Sequence, residues 1–326
     1  MRELSLPSGR GTFSSEQVRE FVSHPRFDPK VIGARDAAFP RISVVVPSYN
    51  QATFLERTIL SILNQNYPNM EIMVYDGGSQ DGSVEIIKKY ERYLASWVSE
   101  PDKGQPSVIN KGFERASGEI IGWQNSDDLY LPGFFHAVAQ SFGRHADTQL
   151  FIGNVYLIDH NDRITWASNY GPFSVGHLIY LGWNLSSQGT FVRRRVFEKV
   201  GPLREDIQVG FDWDWFIRVG KAVRHTVLHR TYGGCYRIHA AAKILTFEPD
   251  ARWKIDQQIL RSHRVCVQAM LPYERQSWWQ TKLMKLRRRL YEIVLYSPRP
   301  VLRRLRPLSV WCLARMGVIC EGFDRP

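Results

Sequence analysis

Cysteine is scarce in this sequence: four among 326 residues, and Cys235, Cys266, Cys312 and Cys320 lack metal-ligand pair spacing. A disulfide scaffold is therefore not expected, and a reduced, cytoplasmic protein is. Long apolar runs are missing as well. No stretch approaches the roughly 18 to 20 unbroken apolar residues of a membrane span, and residues 1–11 hold Arg2 and Arg10 without the apolar core of a secretory leader. Repeats and low-complexity tracts are absent. So are the G-x-G-x-x-G spacing and the P-loop lysine, which sets aside a dinucleotide fold and a P-loop enzyme. No Ser-His-Asp or Cys-His arrangement points to covalent catalysis.

What remains is a chain of ordinary globular composition, 44% hydrophobic and 23% charged, long enough for one large domain plus an appendage. Its net charge of +11 is unevenly spread. From Arg275 onward twelve Lys/Arg face three acids, so nine of the eleven excess charges lie there. That asymmetry implies an acidic partner at the C-terminus.

The most informative stretch is Glu119–Leu131, Glu-Ile-Ile-Gly-Trp-Gln-Asn-Ser-Asp-Asp-Leu-Tyr-Leu. Ile120, Ile121 and Trp123 read as a short buried strand that ends in Asn125, Ser126, Asp127 and Asp128. Taken alone, two aspartates there are equally well a solvated turn. Their neighbours change the balance. Arg41-Ile-Ser-Val-Val-Val-Pro is a β-branched run of parallel-strand type that breaks at Pro47 and leads into Ser48-Tyr49-Asn50. Thr53-Phe-Leu-Glu56 has capping-box spacing and predicts a helix to about Asn66. Glu71-Ile-Met-Val-Tyr is a second strand ending in Asp76, followed by a Gly-rich turn over 77–82 and a helix from Ser83 to about Leu94. Trp97-Val-Ser is a third strand, ending toward Glu100 and Asp102, and 106–116 forms the next helix. Alternation of strand and helix predicts a parallel sheet with right-handed crossovers. Several strands then empty polar or acidic residues onto one rim, where open α/β sheets hold their ligands.

Beyond Pro132 a helix to about Gly143 is expected. A hairpin over 150–166 turns at His160-Asn161-Asp162, Ser187–Val192 forms a strand, and a helix over 194–200 is capped by Gly201. Gly210-Phe-Asp212-Trp-Asp214-Trp opens another helix, and its acids at i and i+2 cannot share a face, so at most one enters the crevice. The helix dipole alone also explains acids there. Tyr232–Arg237 is a last strand emptying toward His239, a histidine that by itself reads as structural. Residues 250–269 and 277–296 are expected helices, and 301–318 a further basic, apolar segment. Arg, Lys, Trp and Leu interleaved there read as an element for an anionic membrane surface or as a packed cap.

Laid end to end, these motifs resemble glycosyltransferase family 2, the inverting enzymes of GT-A fold. The resemblance rests on Val-Val-Val-Pro-Ser-Tyr-Asn at 44–50, Asp76-Gly-Gly-Ser-x-Asp-Gly-Ser, Asn110-Lys-Gly-Phe, Ala116-Ser-Gly-Glu-Ile-Ile-Gly, Asn125-Ser-Asp-Asp, Gln188-Gly-Thr-Phe and Phe-Asp212-Trp-Asp-Trp-Phe-Ile-Arg. It implies an α/β GT-A fold, a mixed, mostly parallel sheet flanked by helices, with a C-terminal helical extension. The organisation expected is an irregular arm over 1–40 with a short helix around Glu16 to Val22, a transferase domain over 41–245 and a basic extension over 246–326. Pro47, Tyr49 and Asn50 would line the base pocket, with Ser79 beside them and Asp76 reading the base edge. Asp102 and Asn110 would lie near ribose or phosphates. Ser126 and Asp127 would sit against ribose or sugar. Asp128 would ligate a divalent metal, Mn²⁺ or Mg²⁺, with His239 as an additional ligand. Asp212 would be the base, with Asp214 its rival. Two departures from the family pattern stand out: Ser126 in place of the metal motif's first acid, and Phe211 in place of the first acid of the Glu-Asp pair.

The activity implied is sugar transfer from a nucleotide-diphosphate donor, UDP-linked by default, to a hydroxyl of a glycan or lipid-linked acceptor. The location implied is cytoplasmic, peripheral on the inner face of the plasma membrane. A nucleotidyltransferase making a nucleotide sugar is the alternative, distinguished by NTP consumption. A nucleic-acid binder would explain the basic C-terminus, but acidic strand ends are wrong for it, and no nucleic acid is expected as partner.

Overall fold

The computed structural model describes residues 12–263 apart from 145, 172, 181–184 and 247. The expected helices over 277–296 and 301–318, and the basic segment they carry, lie outside the described residues. The chain divides into two compact units, Met1–Val175 with Trp183–Leu245 and Gly176–Gly182 with Thr246–Pro326.

Helix α1 (Ser15–Val22) is the short helix expected in the N-terminal arm, and a second, α2 (Pro29–Gly33), occupies part of the segment expected to be irregular. Ser14 caps the first, accepting from the Gln17 N–H while the Gln17 side chain accepts from the Ser14 N–H. Val18 and Val22 bury that helix against the core.

Strands β1 (Ile42–Ser48) and β2 (Met70–Asp76) are buried at every position, as their near-continuous apolar sequences require. Helix α3 (Ala52–Leu63) crosses between them, and α4 (Ser83–Tyr90) leads to the short strand β3 (Ser96–Ser99). Helix α5 (Gln105–Arg115) then returns the chain to β4 (Ile120–Trp123). Here β3, β2, β1 and β4 stand side by side, all parallel, so their C-terminal ends share one rim. Gly112 lets α5 lie close on the sheet, since a Cβ there would be 2.4 Å from a Val45 methyl.

The second half runs through β5 (Leu129–Tyr130), α6 (Phe134–Arg144), β6 (Leu150–Ile158), β7 (Ile164–Ala167) and α7 (Val175–Tyr180). It continues with β8 (Thr190–Arg193), α8 (Arg194–Val200), α9 (Phe211–Ala222) and β9 (Thr226–Arg237), then α10 (Lys243–Thr246) and α11 (Pro249–Ser262). The sheet extends in the order β4-β8-β6-β9-β5, with β7 paired antiparallel to β6. β6 and β9 pair in parallel, whereas β8 runs antiparallel to both β4 and β6. Most paired residues lie in parallel ladders, and the α/β fold with a mixed, mostly parallel sheet flanked by helices is the one the sequence implied.

Two local expectations fail. Thr53 lies inside α3, not at its cap, because the helix begins earlier, after Gln51. Its first N–H groups are satisfied from across the chain instead: Ala52 N–H donates to Asp81 Oδ2 (2.9 Å) and Gln51 N–H to Ser83 Oγ (3.1 Å). Ser187–Gly189 is a turn of 3-10 helix, and the strand starts only at Thr190.

Candidate active site

Sequence-singled residues gather on the rim in two groups. The first surrounds Asp76, which is buried at the end of β2. Its Oδ2 accepts from the N–H groups of Gly78 (3.1 Å) and Ser79 (2.8 Å) and from Ser99 Oγ (2.7 Å), and its Oδ1 accepts from Ser79 Oγ (2.5 Å). Four donors are the usual capacity of a carboxylate, so Asp76 is committed to shaping the Gly-rich turn. Asn50 follows the end of β1 in a left-handed conformation (φ 50). Its N–H donates to Ser79 Oγ (2.7 Å), and its Oδ1 accepts from the Gln80 N–H (3.1 Å). Tyr49 stands 62% exposed, an unusual position for so large a ring. Gly77 keeps this corner open, because a Cβ there would lie 2.9 Å from Asp102 Oδ2 and 3.1 Å from the Tyr49 ring. Pro47, Tyr49, Asn50, Asp76, Ser79 and Asp102 therefore belong to one corner of the rim.

Asn110 lines a pocket with Asp102, Lys103 and Ser107. It is buried on α5, where its amide donates to Leu203 O (2.9 Å) and Glu205 Oε1 (3.2 Å) and accepts from the Leu203 N–H (2.8 Å). Both ends of the amide are spent on tying α5 to the loop before α9.

The second group follows β4. Asp128 is 1% exposed. Its Oδ1 accepts from the Arg237 N–H (2.7 Å), and its Oδ2 accepts from Gln188 Nε2 (2.5 Å) and Asn125 Nδ2 (2.9 Å). Burial, with the neighbouring Asp127 charge, pushes its pKa well up, while those three donors pull against the shift. Both oxygens of the acid expected to ligate metal thus accept hydrogen bonds from within the protein. Asp127 is the more accessible of the pair, and its Oδ2 lies 3.0 Å from His239 Nε2. The His239 ring packs on Phe54, with centroids 4.8 Å apart. Ser126 is buried beside them, its carbonyl within 2.9 Å of Thr58 Oγ1.

Sequence reasoning missed what supports this loop. Thr58 Oγ1 also lies 2.8 Å from Asp128 O, Ser61 Oγ accepts from the Tyr130 N–H (3.1 Å), and Gln65 Nε2 donates to Leu131 O (2.9 Å). These polar residues repeat at helical spacing along α3 and just beyond it. Their one signal in the sequence is a second stripe, polar and regular, beside the apolar stripe of Leu55, Ile59 and Ile62. At the other end, Gln105 Nε2 donates to Asn125 Oδ1 (2.7 Å), joining α5 to the same loop.

Helix α9 separates the two candidate bases. Trp215 and Phe216 are buried against Trp123 of β4, with ring centroids 5.7 and 5.5 Å away. That packing turns Asp214 inward, where Arg218 Nε meets its Oδ2 at 3.0 Å and the rest of that guanidinium reaches Val200 O and Pro202 O. Asp212 stays half-buried in the first turn, after Gly210 in the left-handed region (φ 83). Among the described residues no three His, Cys, Asp or Glu side chains cluster as a closed metal site. The Asp127–His239 pair offers one carboxylate and one imidazole, a donor set that suits a cation sharing its remaining positions with phosphate oxygens.

A parallel four-strand half-sheet, a Gly-rich turn after its second strand and paired aspartates after its fourth are the arrangement of a GT-A fold. The glycosyl transferase family 2 model matches residues 43–206, just over half of the chain, and the chain belongs to that family. An uncharacterized glycosyltransferase of Nostoc is 30% identical over 174 residues, 50% of this chain and 54% of the relative. The PGL/p-HBAD biosynthesis glycosyltransferase of Mycobacterium tuberculosis is 30% identical over 185 residues, 56% of this chain and 70% of the relative. The match thus spans about half the length of the cyanobacterial relative. Among solved structures, Staphylococcus aureus TarS with UDP-GlcNAc superposes at TM-score 0.58 and 16% identity, covering 85% of this chain and 81% of TarS. A Pyrobaculum calidifontis mannosyltransferase with GDP-Man and Mn²⁺ gives TM-score 0.51 at 15% identity, covering 93% and 88%. At such identities the likeness shows the shared fold.

Proposed function

We propose that the chain moves a sugar from a nucleotide-diphosphate donor, a UDP-sugar foremost, to a hydroxyl of a glycan or lipid-linked acceptor by single displacement with inversion. The observation that carries this reading is the pairing of Asp127 with His239 on the rim that also holds Tyr49 and the Asp76 turn. Asp127 and His239 would hold a divalent cation, Mn²⁺ or Mg²⁺. Bound there, such an ion neutralises charge on the departing diphosphate. Asp128 serves from beneath: its three hydrogen bonds fix the loop that presents Asp127. Asp212 takes the proton of the acceptor hydroxyl as that oxygen attacks the anomeric carbon. Asp214 is committed to Arg218 and is not the choice for that role. Fold neighbours solved with UDP-GlcNAc and with GDP-Man and Mn²⁺ support a nucleotide-sugar donor and a metal. The mycobacterial relative supports a biosynthetic glycan product.

Tyr49 is assigned to the face of the nucleobase. Tyr49→Ala should weaken donor binding by about 1–3 kcal/mol, the usual worth of a base–aromatic stack, without lowering the melting temperature. Titration calorimetry with the donor nucleotide checks this, and unchanged affinity removes Tyr49 from the pocket.

No helix among the described residues is long and apolar enough to cross a membrane. The basic segment after Arg275 motivates a cytoplasmic enzyme held peripherally on an anionic bilayer, where each Lys or Arg near the surface contributes about 1 kcal/mol. The protein should therefore sediment with anionic liposomes at low salt and leave them at high salt. Equal sedimentation of a chain truncated after Tyr273 would remove that segment from the role.

A further inference from the structure

Asp162 closes the turn between β6 and β7, far in sequence from the residues assigned so far. It is a non-glycine residue in the left-handed region (φ 61), and its side chain is buried. The turn is rigid, because Asp159 Oδ1 accepts from the N–H groups of Asn161 (2.9 Å) and Arg163 (2.9 Å). Two arginines converge on the Asp162 carboxylate. Arg57 of α3 donates NH1 to Oδ2 (2.6 Å), and Arg237, at the end of β9, donates NH2 to Oδ1 (2.5 Å).

Arg237 is fully buried, so Asp162 is the counter-charge that makes its burial tolerable. The guanidinium is planar and rigid. Its NH1 donates to Asp159 O (2.8 Å), so two of its nitrogens are held by the one turn. The third, Nε, is thereby aimed at Asp127 O, to which it donates at 2.6 Å. Arg237 also lies over the Phe54 ring, 4.6 Å from its centroid, and Arg57 approaches the same ring at 5.3 Å. Phe54 is the ring on which His239 packs.

We propose that Asp162 is a positioning residue for the Asp127–His239 pair. Through Arg237 it fixes the Asp127 peptide and so the direction of its carboxylate. Through Arg57 it steadies the aromatic wall behind His239. The inference rests on the reading of that pair as the metal ligands.

The test is binding of UDP and GDP by calorimetry, each with Mn²⁺ and with EDTA, in the full chain. Asp162→Asn keeps the side chain's size and a residue type at home in the left-handed region. Expected is a roughly 10- to 100-fold loss of Mn²⁺-dependent affinity, as for other groups that orient metal ligands, with affinity in EDTA unchanged. Arg57→Gln removes only the more exposed arm and should give a smaller loss in the same direction, with Arg57→Lys recovering part of it. A folded Asp162→Asn protein with wild-type Mn²⁺-dependent affinity overturns the proposal, even if its melting temperature falls. Should that variant not fold, unchanged affinity in Arg57→Gln overturns it instead. Wild-type protein that binds both nucleotides equally with Mn²⁺ and EDTA overturns the metal reading itself, and this inference with it.

Discussion

Asp212→Asn is expected to lower turnover by about 10²- to 10⁴-fold, the usual worth of a positioned general base. Donor affinity should stay at the wild-type level, because the base acts on the acceptor hydroxyl and not on the nucleotide. The asparagine has the same shape and cannot take the proton. The half-buried position of Asp212 in the first turn of α9 predicts little change in melting temperature. Asp214→Asn should behave in the opposite way. It weakens the inward ion pair with Arg218 and hence the tie between α9 and the end of α8. Stability should fall while the activity per folded molecule persists. An inactive but well-folded Asp214→Asn beside an active Asp212→Asn would reverse the assignment of the two acids.

The second large effect separates the adjacent aspartates. Asp127→Ala should abolish Mn²⁺-dependent donor binding and transfer while leaving the fold intact, since among the described residues its carboxylate pairs with His239 alone. Asp128→Ala leaves the Arg237 N–H, Gln188 Nε2 and Asn125 Nδ2 without their acceptor. Each buried donor so stranded costs about 1–3 kcal/mol, so stability should drop by about 3 kcal/mol or more. Denaturant melts and donor titrations on both variants check the contrast. Loss of metal-dependent binding in a stable Asp128→Ala protein, with Asp127→Ala unaffected, would return the metal to Asp128.

That contrast also marks where the sequence stops being informative. The parallel half of the sheet was legible because β1, β2 and β4 are apolar runs that break into polar residues. The turn after α8 was legible in Gly201, which the structure places at φ 82. The acids at 212 and 214 could be told to face differently from helical spacing, although the direction needed Trp215 and Phe216 packed on Trp123. The different surroundings of Asp127 and Asp128 were not legible. Adjacent residues of one type differ only through their partners, and Arg237 and Gln188 arrive from about 110 and 60 residues away. The same holds for Asn110, whose partner Leu203 lies 93 residues on. A cap at Thr53 was a reasonable local reading, and it lost because Asp81 and Ser83 cap α3 from another loop.

The most direct measurement is thermal stabilisation of the full chain by a panel of UDP-, GDP- and dTDP-sugars, each with Mn²⁺ and with EDTA. A ligand that binds only the folded protein raises its stability by about 2.7 kcal/mol at a hundred times its dissociation constant. The account predicts that one nucleotide class stabilises strongly with Mn²⁺, weakly with EDTA, and not through Mn²⁺ in Asp127→Ala. Stabilisation by a nucleotide sugar that is identical in Mn²⁺, in EDTA and in Asp127→Ala would contradict it.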